Sequence, residues 1–275
     1  MAAVNLTVRL ATAAVAVPVI LAVLFRAPAW CFYFLVLPVI LVGEHELLGM
    51  THPRDKVTRG IGVATSALVS VAFYFRPDDL NVVFTILLGL PLFAAGVTLL
   101  RLGAIETSAF RVFAFAYSPL FVALPLTLLA VMRRSLGSSG PGVVLLTLGL
   151  GWIGDTGAYF VGRSLGRHKL FEAVSPKKTV EGAIGGLAAS IAWGIGASLG
   201  YLHGSLPLAR AMPLATVAGA LGQVGDLSES LLKRSTGVKD SGFLVPGHGG
   251  ILDRMDSVIV TSVAVFLYTR WVGWN

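Results

Sequence analysis

Two carboxylates, Asp253 and Asp256, stand three residues apart at the head of the apolar run VIVTSVAVFLY. On a helix that spacing turns both to one side, and carboxylates so close repel unless something positive lies between them. Arg254 is adjacent in sequence but points roughly 100° away. A divalent cation is the better candidate, and oxygen donors without a Cys or His cluster favour Mg2+. The competing account is a pair of acids placed favourably at a helix N-terminus by the macrodipole. Asp226 offers a third carboxylate from the preceding apolar segment. It shares one helical face with Gln223, Ser230 and Lys233, at spacings of three, four and three, while Gly222 and Gly225 let a neighbouring helix approach. Asp155 is a further acid inside an apolar segment. Carboxylates there are costly and face a partner, an ion or water; pairing with a Lys or Arg of a neighbouring helix is the plainer account of Asp155 and Asp226.

The stretch SPKKTVEG, Ser175–Gly182, supplies the opposite charge. Ser175 followed by Pro176 reads as an N-cap and first-turn pair, so a helix is expected to start there with free amides beside Lys177 and Lys178. Amides, helix dipole and two ammonium groups suit a phosphate; an ordinary capped helix with topology-setting lysines would look the same. In PGHGG the glycines let backbone approach a ligand or turn sharply. His248 among them either donates to a phosphate, serves as a general acid, or only bonds loop backbone. The loop lacks the terminal Gly-Lys-Ser/Thr of a phosphate loop and is not a dinucleotide fingerprint. Acids for Mg2+ with Lys and Arg for phosphates are the equipment of phosphoryl or nucleotidyl transfer, where positioning and charge neutralisation do most of the work.

The elements that must hold these residues are membrane helices. Of the 275 residues, 55% are hydrophobic and only 13% charged, about half the charge of a typical soluble domain, and the mean hydropathy is +0.81. Apolar stretches long enough to cross about 30 Å of hydrocarbon recur, and backbone in lipid must bond internally, so an all-α, polytopic membrane protein is expected; the alternating pattern of a membrane β-barrel is absent. Nine spans are expected: Val8–Phe25, Ala29–Met50, Ile61–Phe75, Leu80–Leu100, Val112–Val131, Gly142–Leu165, Thr179–Leu202, Ala211–Leu232 and Ser257–Trp271. The first resembles a signal peptide in its Arg9, apolar run and Ala27-Pro28-Ala29, but is read as a retained anchor. Residues 1–135 form an N-terminal set of about five spans. Residues 136–275 form a catalytic set of about four, with loops 163–178 and 233–256.

With nine spans, fifteen of the twenty-one Lys and Arg fall on the side of the N-terminus, which positive-inside bias makes cytoplasmic. The polar loops then face the nucleotide pool. The same bias accounts for the net charge of +7 without nucleic acid, since no basic stripe with interleaved aromatics occurs; anionic lipid or an anionic substrate is the natural partner. Cys31 stands alone and excludes an internal disulfide. One short echo occurs: GWIGDTGAYFVGR and GQVGDLSESLLKR both read Gly-x-x-Gly-Asp with Arg eight residues on, placing Asp155 and Asp226 at similar depth.

At this point the stretch Ser230–Asp256, SLLKRSTGVKDSGFLVPGHGGILDRMD, resembles the signature of the phosphatidate cytidylyltransferase, or CDP-diacylglycerol synthase, family. Ser-x-x-Lys-Arg, four residues, Lys-Asp, Pro-x-His-Gly-Gly and Asp-Arg-x-Asp are all present in order. WIGDTGAYFVGRSLGRHKL and SPKKTVEG resemble the preceding blocks, so the resemblance covers roughly residues 150–257. Glu46 corresponds to a family Glu usually flanked by aromatics, but its neighbours here are His45 and Leu47.

The resemblance implies condensation of CTP with phosphatidic acid to CDP-diacylglycerol and pyrophosphate in phospholipid biosynthesis. It implies Mg2+ on Asp226, Asp253 and Asp256, allows K+ as a second ion, and assigns catalysis to these acids with Lys233 and His248. Substrate binding falls to Ser175, Lys177, Lys178, Thr179, Ser230, Arg234, Lys239, Asp240, Gly249, Gly250, Arg254 and Asp155. It further suggests a homodimer, and a bacterial plasma membrane with the site facing the cytoplasm. The rivals are a CTP-dependent lipid-alcohol kinase, which would need a base for the hydroxyl, and an ion-coupled transporter using Asp155 and Asp226, against which the one-sided charge argues. A CDP-alcohol phosphotransferase lacks support because its multi-Asp motif is missing.

Overall fold

The computed structural model describes residue 14 and residues 17–242 and 249–274; His248 therefore lies outside the described residues. The chain is mostly helical. The helices are α1 (Val17–Arg26), α2 (Ala29–Thr51), α3 (Lys56–Phe75), α4 (Leu80–Leu100), α5 (Ser108–Ser118), α6 (Leu124–Ser135), α7 (Gly140–Leu165), α8 (Val180–Leu199), α9 (Leu208–Ser235) and α10 (Leu252–Trp271). A π-helical turn at Pro119–Ala123 joins α5 to α6, so these two and the short 3-10 turn before them make one expected span. Among the described residues, six helical segments are long and apolar enough to cross a bilayer: α2, α3, α4, the stretch Ile105–Ser135, the stretch Gly137–Leu165 that contains α7, and α8. The 28-residue α9 and 20-residue α10 have the length, but they also carry the polar residues singled out above.

The all-α expectation needs one correction. Between α7 and α8 the chain forms an antiparallel hairpin, β1 (Lys169–Phe171) and β2 (Ser175–Thr179), pairing Lys169 with Thr179 and Phe171 with Ser175. Ser175 therefore does not cap a helix. Pro176 is tolerated in so short an edge strand because it only withholds an amide there. The cap falls to Thr179, whose hydroxyl accepts from Gly182 N at 3.1 Å, and α8 starts at Val180. Glu181, in the first turn, accepts from the amides of Arg167 and His168 at 3.0 and 3.2 Å and meets His168 Nδ1 at 2.6 Å. The hairpin is thus tied to the start of α8.

The chain divides into two compact units, Met1–Val131 with Asp240–Leu252, and Met132–Lys239 with Asp253–Asn275. In the first, Leu48, Ala94, Val97, Phe115 and Ala116 form a core. Hydroxyls bridge its helices, with Tyr33 Oη 3.1 Å from Ser70 Oγ and Ser70 Oγ 2.7 Å from Thr127 Oγ1. In the second, α7 packs along α8, and α8 against α9. The α7–α8 contact is made through small residues. A Cβ at Gly157 would lie 2.5 Å from Ala189 Cβ and 3.0 Å from the Gly185 carbonyl oxygen, and one at Gly186 would lie 2.9 Å from the Gly154 carbonyl oxygen. Lipid tails are as apolar as leucine, so helix association in a membrane leans on such close backbone approach.

Candidate functional site

The second unit holds a cavity of about 420 Å3. Its walls are α7 (Asp155, Tyr159, Gly162, Arg163), the hairpin and the N-terminus of α8 (Leu170, Lys177, Lys178, Thr179, Gly182), and α9 (Gln223, Asp226, Leu227). The amide of Gln223 closes the α8–α9 side by donating to the Ala183 carbonyl at 2.9 Å. The two acids of the Gly-x-x-Gly-Asp echo line this one cavity. The face expected on α9 also forms: Gln223 and Asp226 face the cavity, and Ser230 and Lys233 are buried further along the helix.

Around Asp226 the carboxylates crowd. Asp256 feels the like charges of Asp226, Glu229 and Asp155, and Glu229 those of Asp253 and Asp226. Two ammonium groups and a hydroxyl offset this. Lys178 Nζ lies 2.5 Å from Asp226 Oδ2. Lys233 Nζ donates to Glu229 Oε2 at 2.9 Å and to Asp253 Oδ1 at 2.6 Å. Ser257 Oγ donates to Asp155 Oδ2 at 2.7 Å, and Asp256 accepts from the Ser257 amide at 2.7 Å. Two of the three expected metal ligands, Asp226 and Asp253, are therefore engaged by lysines, and among the described residues no three Asp, Glu, His or Cys side chains are grouped to hold a metal ion as they stand. The donor set itself, five carboxylates with hydroxyls and no thiolate, is of the kind that suits a hard oxygen-seeking cation.

Gly225 sets the distance between α9 and α10. A Cβ there would stand 2.6 Å from the Asp256 carbonyl oxygen and 2.7 Å from Val260 Cγ2, so a methyl group must push α10 away and separate Asp226 from Asp256. Gly225→Ala is expected to lower turnover by roughly a hundredfold, as a displacement of about 1 Å can do at a reacting centre, with a smaller loss in melting temperature. Steady-state rates and a thermal melt on the same sample check this.

The other expected site residues distribute as follows. Lys177 is exposed and lines the cavity. Arg234 is bound to backbone, donating to the carbonyls of Val174 at 3.3 Å and Val238 at 3.0 Å, so it braces the hairpin against the end of α9. Ser175 is half-buried in β2, while Lys239, Asp240 and Arg254 are exposed. The Arg254 carbonyl accepts from Trp152 Nε1 at 3.0 Å. Gly249 adopts φ +80°, in the left-handed region that favours glycine. Three contributors were not singled out in the sequence. Glu229 had a signal, its Glu-to-Lys i,i+4 spacing to Lys233. Ser257 and Tyr159, whose hydroxyl accepts from the echo's Arg163 at 2.9 Å, had none beyond proximity to marked residues.

The cytidylyltransferase family profile matches residues 7–272, nearly the whole chain. Proteins named phosphatidate cytidylyltransferase from Staphylococcus haemolyticus (strain JCSC1435) and Staphylococcus aureus (strain COL) are 46% and 44% identical over 120 residues, covering 44% of this chain and 46% of each relative. One from Synechocystis sp. (strain ATCC 27184 / PCC 6803 / Kazusa) is 44% identical over 128 residues, 46% of this chain and 42% of the relative. The aligned stretches thus span less than half the length of these relatives. With a family match along almost the full length, on a helical chain whose acids and lysines meet at one cavity, the chain belongs to the cytidylyltransferase family.

Proposed function

We propose that this protein transfers CMP from CTP to phosphatidic acid, giving CDP-diacylglycerol and pyrophosphate, at the cytoplasmic face of a bacterial plasma membrane that it crosses nine times from a cytoplasmic N-terminus. The observation that carries the reading is the shared cavity. Carboxylates and lysines line it together with apolar Ala158, Leu170, Ala183 and Leu227, which suits a ligand that is part anion and part hydrocarbon. The names of the relatives point to the same substrate.

In this reading a phosphate oxygen of phosphatidate forms a bond to the α-phosphorus of CTP. The bond from that phosphorus to the β-bridging oxygen breaks, and pyrophosphate leaves with the electron pair. Phosphatidate is already anionic near neutral pH, so no side chain need remove a proton. Lys177, on the cavity wall beside the N-terminus of α8, binds substrate phosphate, with the helix dipole favouring the anion. Lys178 and Lys233 pair with Asp226, Glu229 and Asp253, and on substrate binding they turn to phosphate oxygens. Asp226, Asp253 and Asp256 would hold Mg2+, with K+ as a second ion, and Mg2+ would supply charge neutralisation on the triphosphate. Asp155, oriented by Ser257, adds negative charge to the cavity lining and so favours phosphates at the lysines.

The test is purified protein with phosphatidate vesicles, labelled CTP and Mg2+. Lipid-linked CMP and pyrophosphate are expected in equal amounts, and both should vanish on chelation. Release of CDP with a phosphorylated lipid alcohol would instead establish the kinase reaction. Lys177→Ala is expected to raise the KM of a phosphate-bearing substrate about tenfold, the size of one exposed charge-assisted contact, with kcat nearly unchanged. An unaltered KM would return Lys177 to a purely topological role.

A further inference from the structure

Glu46 lies near the C-terminal end of α2, far in sequence from the acids discussed so far, and is 4% exposed. Its carboxylate gathers three donors from one distant segment. Ser241 Oγ donates to Oε2 at 3.1 Å, the Ile251 amide to Oε1 at 3.1 Å, and the Leu252 amide to Oε2 at 2.9 Å. Two glycines of that segment admit it. A Cβ at Gly250 would stand 2.6 Å from Oε2, and one at Gly242 would fall within 3 Å of three Glu46 side-chain atoms. Leu252 is fully buried and approaches the Cβ-less side of Gly43, one turn earlier on α2. All of these residues belong to the first compact unit.

The Ile251 and Leu252 amides are the unpaired donors that open α10, so a carboxylate from α2 does the work that a local Ser or Asp cap usually does. Ser241 fastens the other end of the segment to the same group. Charge-assisted bonds of this kind are among the stronger ones a buried carboxylate can make. The clamp ends one residue before Asp253.

We infer that Glu46 is a positioning residue: it holds Ser241–Gly242 and Gly250–Leu252 together and fixes the start of α10, the helix whose first turns carry Asp253 and Asp256. It touches no reacting atom. The inference rests on the proposed transfer reaction for its kinetic part and on geometry alone for the rest, and the test separates the two.

The experiment compares the full-length protein with Glu46→Gln and Ser241→Ala by three measurements. Hydrogen exchange at residues 249–252 is expected to quicken at least tenfold in Glu46→Gln, because an amide offers one acceptor oxygen where three donors wait. Exchange in α7 and α8 should stay as in the parent, and Ser241→Ala, which removes one bond of three, should fall between. CMP transfer should lose at least tenfold in kcat in Glu46→Gln with the KM for CTP within about threefold. Unchanged exchange at 249–252 overturns the clamp whether or not the protein transfers CMP. Faster exchange throughout the chain, with a general fall in melting temperature, overturns positioning in favour of bulk stabilisation. Loosened exchange at 249–252 with undiminished kcat also overturns it. A parent protein inactive on CTP and phosphatidate overturns the proposed reaction, and leaves the exchange data to decide on the clamp.

Discussion

Asp256→Asn is expected to abolish CMP transfer, by three orders of magnitude or more, while leaving the protein at least as stable as the parent. Asp256 is 9% exposed and faces the like charges of Asp226, Glu229 and Asp155. An Asn of nearly the same shape removes that repulsion and retains an oxygen for the Ser257 amide, now 2.7 Å from Asp256 Oδ1, so folding has little to lose. In the proposed reaction, catalysis would lose a negative charge from the set that would hold a cation; removing a single electrostatic contact commonly costs roughly a hundredfold to a thousandfold, and loss of a metal ligand would cost more. Rates measured at saturating Mg2+ beside thermal melts test the pairing of outcomes. Retained activity would remove Asp256 from the site. Lost activity with an equally large loss of stability would make it structural.

Lys233→Met should do the opposite to stability. The ammonium is 10% exposed and bridges Glu229, whose side chain is fully buried, and Asp253. Without it two carboxylates are left close together in a low dielectric, and breaking a buried pair from one side typically costs about 3–5 kcal/mol. Both the melting temperature and the rate should therefore drop sharply. Adding Glu229→Gln removes the stranded charge, and the double variant should regain most of the lost stability. It should not regain activity, because the proposed phosphate contact of Lys233 is still absent. A double variant as unstable as the single would show that Lys233 acts by packing its methylenes, and an active double variant would remove Lys233 from the transfer.

Much of this site was legible in the sequence. The one-face spacing of Gln223, Asp226, Ser230 and Lys233 survives because periodicity along a single helix is a local property. The echo predicts only a similar depth for Asp155 and Asp226; that both line one cavity comes from the packing of their helices. Helix positions follow the apolar runs closely, as with Leu80–Leu100. What was not legible is tertiary. Ser175-Pro176 is a sound local cap signal, yet pairing of β2 with β1 overrides it, and Thr179 takes the role. Lys178 reads as a phosphate ligand on charge alone, and only the packing of α8 against α9 reveals Asp226 as its partner. Glu46 is separated from its three donors by about two hundred residues, a distance at which no spacing rule applies.

The bare contact between α7 and α8 bears on how variants of this protein are to be interpreted. If every position were replaced in turn and cells selected for growth, the intolerant sites would include a diagonal stripe through Gly154, Gly157, Gly182, Gly185 and Gly186, where an added Cβ meets the opposite helix. That stripe runs beside the cavity and would be mistaken for a ligand footprint. Apart from Gly182, which itself lines the cavity, bulk alone accounts for it, so alanine and serine should be the mildest replacements there regardless of charge, whereas at Asp226 or Asp256 charge should decide and size should not.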